Sequence, residues 1–376
     1  MPRKGENIYK RKDGRWEGRY LKRIPGQKTR YGYVYAKTYR EVKAKLREAA
    51  TQWEQLPEVA LDAPCLSHVA REWFEHLAPQ VKQSTLVKYH TILHRHLLPA
   101  LGDVALTDMT FQRIEAFSQQ LLQTLAPRTV SDILSVLRSI LRYAMRFGHQ
   151  VPCDGSAVRI RRTASQIRIL TPGEQAILCR HIFEDLTLRN AGILLSLCTG
   201  LRIGEICALR WEDISFDDRL LHVRHTMQRL QNLSPVGART QIVETAPKSA
   251  TSARTIPLTE DLVRVLLSLP GCHSGYFLTG HAKYFIEPRT MQYHFGRMMV
   301  SSGLSPANYH ALRHTFATRC VELGFDVKSL SEILGHSTVT MTMDRYVHPT
   351  LEHKRAGMQQ LTVHMTANWN RVENFL

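Results

Sequence analysis

The chain has 376 residues, enough for two or three domains with cores of their own, and its apolar share of 43% is that of a globular protein. Lysine and arginine number 50 against 33 acids, a net charge of +17, which points to a polyanionic partner, usually nucleic acid. The best apolar run, Ala191 to Cys198, breaks at Thr199-Gly200; the charged start of the chain argues against a secretory leader, and seven cysteines without a C-x-x-C pair argue against a disulfide framework or zinc ribbon, so a reducing cytoplasm is expected.

Residues 1–57 read as a small three-stranded sheet followed by a helix. The run "NIYKRKDGRWEGRYLK" alternates around Asp13-Gly14, a two-residue hairpin signal, and "RYGYVYA" supplies a third strand with Tyr31, Tyr33 and Tyr35 on one face. Thr38 and Glu41 make a capping box for a helix whose apolar side is Val42, Leu46, Ala49 and Trp53. Residues 1–60 hold 16 basic and 7 acidic side chains, more than half of the total excess. Lys10, Arg11, Lys12, Arg15, Arg19, Lys22, Arg23, Lys28 and Arg30 lie on the strands and turns, and a basic sheet of this size fits a DNA major groove. The plainer alternative is a sheet that only adheres to phosphate.

"LPEVALDAPC", Leu56 to Cys65, reads as a linker, and residues 64–152 form an all-helical domain by pattern. Leu66, Val69, Ala70, Trp73 and Leu77 line one helix. Val130, Ile133, Leu134, Leu137, Leu141, Ala144 and Phe147 line another, which stops at Gly148. Basic residues on the polar sides, Lys88 and Arg95 among them, are expected against a duplex backbone; otherwise they are solvated charges on a spacer. A mixed α+β domain, 165–376, follows. Thr171 caps its first helix with Pro172 at the first position, short strands fall in "DRLLHVRHTMQ" and "SARTIPL", and the rest is mostly helical. The expected fold class is therefore multidomain and mostly α.

No phosphate loop, dinucleotide turn, nucleophile elbow or H-E-x-x-H pair is present. His90, His94 and His96, and His310 with His314, have helical spacing for a metal. Neither group has an acidic or cysteine partner nearby and both have an arginine close by, so no metal is expected. What remains is a series of phosphate-directed residues. Arg202 in "TGLRIGE" stands at a helix start, with Glu205 three positions on to hold it. Lys248 precedes a strand, His310 and Arg313 are one helical turn apart in "HALRH", His336 follows a helix ending at Gly335, and Tyr346 lies in the threonine-rich "TVTMTMDRYVHPT", where no apolar stripe would bury a ring.

These boxes resemble, in order and in spacing, those of the tyrosine recombinases, the phage integrase family, over the last 200 residues or so. Arg313 to His336 is 23 positions and Tyr346 lies ten further on. By layout, the first two domains are similar to the arm-binding and core-binding domains of integrases of temperate phages and conjugative transposons. The resemblance implies an enzyme that cuts and rejoins DNA through a 3′-phosphotyrosine, with Tyr346 as nucleophile on a mobile segment. Arg202 and Arg313 would grip the non-bridging oxygens, and Lys248 would protonate the leaving 5′-oxygen. His310 would assist proton transfer at the tyrosine, His336 would donate to the phosphate, and Glu205 would orient a neighbour. No cofactor is implied. Expected partners are double-stranded DNA attachment sites, a homotetramer on DNA, and accessory DNA-bending or excision factors. The tail's Trp369, Val372 and Phe375 are spaced to dock on a neighbouring protomer or on their own domain. Rival readings are a type IB topoisomerase, against which the separate basic sheet argues, a non-catalytic DNA-binding regulator, against which the intact boxes argue, and a chromosome-dimer resolvase, which would match only the last two domains.

Overall fold

The computed structural model describes residues 7–11, 13–22, 30–54, 64–161, 168–233, 238–246, 252–271 and 274–346, with scattered positions between 355 and 365. Lys12, Arg23, Lys28 and Lys248 lie outside the described residues, as do linker positions 56–63, the tail residues Trp369, Val372 and Phe375, and the side chains of Lys22, Arg30 and Trp53. The chain forms two compact units, Met1–Thr163 and Ala164–Leu376.

In the first unit β1 (Ile8–Lys10), β2 (Trp16–Lys22) and β3 (Arg30–Ala36) pair antiparallel in that order. Their first turn is longer than the two-residue hairpin expected. Arg11 N donates to Arg15 O at 2.8 Å, Gly14 N donates to Arg11 O at 3.1 Å, and Gly14 sits at φ +83°. Gly14 takes the left-handed conformation that this longer loop requires, which a side chain would adopt only with strain. Helix α1 (Tyr39–Glu54) begins where Thr38 Oγ1 accepts from Glu41 N at 3.2 Å. Strand alternation then sends Ile8, Val34 and Ala36 against Val42 and Leu46 of α1, and leaves Tyr9, Tyr31, Tyr33 and Tyr35 on the outer face.

The second core of this unit is helical: α2 (Leu66–Leu77), α3 (Gln83–Ile92), α4 (Leu98–Leu101), α5 (Phe111–Leu122) and α6 (Pro127–Arg146). A π turn, Leu93–Leu97, joins α3 to α4. Leu66, Val69, Ala70 and Trp73 are buried with Val130, Ile133, Leu134, Leu137, Leu141 and Ala144, as their spacing predicts. Phe147 is the exception. It lies past the last turn of α6, is 61% exposed, and packs against Tyr143 with the rings tilted and their centroids 4.5 Å apart.

The second unit opens with α7 (Pro172–Glu184), whose capping box is complete: Glu174 N donates to Thr171 Oγ1 and Thr171 N to Glu174 Oε2. Then come α8 (Leu188–Thr199), α9 (Ile203–Ala208), β4 (Ile214–Ser215), β5 (Leu220–Val223), β6 (Thr226–Gln231), β7 (Thr240–Thr245) and β8 (Arg254–Pro257). One antiparallel sheet runs β4-β5-β8, and β6 with β7 forms a separate ribbon. Strand β7 was not expected, because "TQIVET" shows no clean apolar alternation; its pairing with β6 supplies the strand. Helices α10 (Glu260–Leu267), α11 (Pro288–Ser301), α12 (His310–Glu322), α13 (Val327–Leu334) and α14 (Val339–Tyr346) complete it. Leu195, Phe277, Phe295 and Leu312 belong to the main core, while Ala317, Cys320, Leu330 and Leu334 form a smaller one around Tyr346. Among the described residues no helix is long and apolar enough to cross a membrane.

Candidate active site

The site is built where α8, α12 and α13 meet. Gly200 ends α8 at φ +68°, and a Cβ there would stand 2.6 Å from Phe316 and 2.9 Å from Leu334. Only a glycine allows both that conformation and that approach. Two residues on, Arg202 caps α9. Its backbone N–H donates to Glu205 Oε2 at 2.9 Å, Nη1 donates to Glu205 Oε1 at 2.7 Å, and Nη2 donates to Gly335 O at 3.1 Å.

Arg313 is 1% exposed, with Nη1 donating to Gly200 O at 2.9 Å and Nη2 to Leu334 O at 2.6 Å. Burial, and then repulsion from Arg202, pulls its pKa down to about 9, so it stays charged at neutral pH. The guanidinium sits between the C-terminal ends of two helices, whose carbonyl dipoles offset the loss of water.

Arg254, which the sequence reading did not single out, starts β8 and makes a forked pair with Glu205: Nη1 to Oε1 at 3.0 Å and Nη2 to Oε2 at 2.9 Å. The two side chains are 5% and 3% exposed. Burial pushes the Glu205 carboxyl up, but the hydrogen bonds and charge of Arg254, with Arg202 behind it, outweigh burial and hold it at about 2. Arg254 Nε also donates to Ile333 O at 2.5 Å. Three successive carbonyls at the end of α13, those of Ile333, Leu334 and Gly335, are thus each taken by a different arginine, from β8, α12 and the start of α9. A helix end leaves its last carbonyls unpaired, and here that end is the joint that gathers the cations.

Gly335, at φ +64°, closes α13, and His336 follows as expected. Its Nδ1 lies 2.8 Å from Thr342 Oγ1 of α14, and its ring is parallel to that of Tyr346 with centroids 6.4 Å apart. Tyr346 departs from the expectation of an unburied ring. It ends α14 and is 6% exposed, packed among Ala317 and Cys320 of α12 and Leu330 and Leu334 of α13. Its own segment has no apolar stripe; the neighbours provide one. The hydroxyl lies 2.8 Å from Nδ1 of His314, not of His310. His310 is exposed, edge-on to His314 with centroids 4.5 Å apart, whereas Arg313 points inward, so the pair read as facing one way divides between surface and core.

On the N-terminal sheet three arginines gather over the tyrosines. Arg19 lies 4.9 Å from the Tyr9 ring and 5.7 Å from Tyr33, while Arg11 and Arg15 lie 5.6 and 6.0 Å from Tyr35. Arg19 and Arg11 both donate to Glu17, whose carboxyl they hold below its usual range, with Arg19 contributing most. Lys10 does not join them. Strand parity puts it on the α1 side, where its ammonium lies 5.9 Å from the Trp16 ring. In the helical core Lys88 pairs with Asp132 at 2.8 Å, and Arg95 is exposed on the π turn.

Arginines joined at one helix end, a histidine beside them and a tyrosine on the next helix define a tyrosine-type site-specific recombinase. Residues 178–353 match the sequence model of the phage integrase family and residues 66–151 that of the phage integrase central domain. The chain belongs to the phage integrase family of tyrosine recombinases. It is 26% identical over 354 residues to the XerC-like tyrosine recombinase of Caldanaerobacter subterraneus subsp. tengcongensis, covering 87% of this chain and 90% of the relative. To the ICEBs1 integrase of Bacillus subtilis it is 25% identical over 272 residues, 68% of this chain and 72% of the relative. In fold it resembles the Tn1549 transposon integrase solved in complex with a circular intermediate DNA, with a TM-score of 0.67 and 22% identity over 80% of this chain and all of that one. A lambda integrase dimer bound to a COC′ core site gives a TM-score of 0.57 and 19% identity over 92% of this chain and 96% of that one.

Proposed function

We propose that this recombinase integrates and excises a mobile DNA element by cutting and rejoining strands at paired attachment sites, with Tyr346 as the nucleophile. The observation that carries the reading is the joint at the end of α13, which ties Arg202 and Arg313 to the turn bearing His336, directly before the helix that ends in Tyr346. Names among the relatives support the mobile element: an ICEBs1 integrase and the transposase of transposon Tn916 from Enterococcus faecalis.

In this mechanism the phenol oxygen attacks a backbone phosphorus in line and displaces the 5′-oxygen. The phosphotyrosyl bond keeps the energy of the diester, so rejoining needs neither ATP nor water. A guanidinium carries five donors, more than the two carbonyl bonds of Arg313 use, so both arginines can hold carbonyls and still grip phosphate oxygens, where charge builds in the transition state. Lys248 protonates the leaving 5′-oxygen, a poor leaving group otherwise. His336 donates to the phosphate, His310 stands at the exposed rim, and Glu205 with Arg254 holds Arg202 in place.

Residues 1–57 serve as an arm-type DNA-binding domain, 64–152 as a core-binding domain, and 165–376 as the catalytic domain. Arg11, Arg15 and Arg19 on the tyrosine face are the foremost arm contacts, the sequence adds Lys12, Lys22, Arg23, Lys28 and Arg30 as candidates, and Lys10 stands on the opposite face. Two duplexes exchanged strand by strand need four active sites, hence a homotetramer on DNA, with accessory bending or excision factors and a cytoplasmic, nucleoid-associated setting. The test is a nicked suicide duplex carrying the core site. The protein should form a denaturant-resistant adduct and Tyr346→Phe should form none; an adduct that persists in the variant removes Tyr346 from the chemistry.

A further inference from the structure

The Tyr346 hydroxyl meets an imidazole inside the same chain, and that imidazole belongs to none of the roles above. His314 is buried in α12, one turn beyond His310, with its Nδ1 2.8 Å from Tyr346 Oη and the ring centroids 5.7 Å apart. That separation is within the reach a general base needs for the proton it removes. Resting on the recombinase reading of Tyr346, we propose that His314 is a catalytic residue, the base that accepts the phenolic proton as Tyr346 attacks the phosphodiester.

The two other histidines of the site are less well placed. His310 is exposed and stands edge-on to the ring of His314. His336 lies with its ring parallel to Tyr346, and its Nδ1 is engaged with Thr342 Oγ1. Among the described residues, the titratable and charged groups at this contact include His310 and Arg313 on the helix of His314, and His336 on the turn after α13, whose ring faces Tyr346. An ammonium or guanidinium could steady a phenolate, but only a neutral imidazole can both accept the proton and keep it for return.

The proton balance closes without any further reagent. As the Oη–P bond forms, the Oη–H bond breaks and the proton passes to Nδ1, giving an imidazolium. The P–O5′ bond breaks, and the departing oxygen takes its proton from Lys248. On rejoining, the 5′-hydroxyl attacks phosphorus, its proton goes back to Lys248, and the imidazolium returns its own to Tyr346 as the phenol leaves.

The experiment measures the rate of adduct formation on the nicked duplex against pH for the full-length protein and for His314→Asn. The asparagine amide oxygen can still accept the tyrosine hydrogen bond but cannot take the proton. The wild-type rate should show an acid limb in the imidazole range, between about pH 5 and 8. His314→Asn should bind the duplex as the wild type does, react about a hundredfold more slowly, and lose that limb. A variant that cleaves at the wild-type rate with the same limb overturns the proposal, as does a limb that disappears in His310→Asn and persists in His314→Asn. Should His314→Asn fail to bind DNA, His314→Gly decides: rescue by added imidazole upholds the base, and no rescue rejects it. A wild-type protein that forms no adduct at any pH refutes the recombinase reading itself, which is a separate result.

Discussion

Replacing Arg254 by methionine should loosen the site without touching a residue that faces the phosphate. The change keeps much of the apolar stem but leaves Glu205, 3% exposed, with Arg202 as its remaining cation, and strips Ile333 O of its donor. Removing one partner of a buried pair costs roughly 3–5 kcal/mol. The carboxyl gives a second scale: it is held at about 2 against an ordinary value of 4.5, and at 1.36 kcal/mol per unit that depression corresponds to about 3 kcal/mol. Because the folded value is depressed, this stabilisation is complete above about pH 4.5 and is lost as the pH falls toward 2. Amide hydrogen exchange of the full chain at neutral pH reads the effect locally, at the Gly335 and His336 amides that close α13 and the Ile206 amide in α9. Their protection should fall roughly a hundredfold in Arg254→Met, and adding Glu205→Gln should restore part of it by removing the stranded charge. Protection that changes by less than about threefold would refute the claim that this pair holds the cations together.

A duplex with a 5′-bridging sulfur, which leaves without protonation, should rescue cleavage by Lys248→Ala and not by Arg202→Ala; equal rescue of the two would erase the division between acid and phosphate grip. Deleting residues 1–57 should spare cleavage of an isolated core site while cutting integration, and loss of all binding would contradict the domain assignment. In the intact protein Arg19→Ala should weaken arm-site binding and lower its salt slope by about one unit, measured by titration at several salt concentrations. Gly200→Ala should lower stability by at least about 1–3 kcal/mol, seen as a drop in thermal midpoint, since it forces a side chain into φ +68° and against Phe316 and Leu334. A neutral outcome there would mean that α8 and α12 can separate at little cost.

Features whose causes lie within four residues were legible in the sequence. The Thr171 cap with Pro172 behind it, Arg202 at a helix start, the glycine closing α13 and the tyrosine face of β3 all follow from local spacing, and the structure has each of them. The rest depends on partners far along the chain. Arg254 stands 49 positions from Glu205 and 79 from Ile333, so nothing in "SARTIPL" marks it as part of the site. His314 could be noticed as a histidine at helical spacing, but its hydroxyl partner comes 32 residues later. Tyr346 looked unburied because its own segment is polar, while the apolar surface that receives its ring belongs to α12 and α13. Lys10 was a signal left unread: two positions from the inward Ile8, it falls on the helix side of the sheet by alternation alone.

Mapping the covalent bond tests the central claim most directly. Full-length protein trapped on the suicide duplex, digested with protease and nuclease and sequenced by mass spectrometry, should carry the nucleotide on the Tyr346 oxygen through a 3′-phosphate. A nucleotide on any other side chain, or one joined through its 5′-phosphate, would contradict the account.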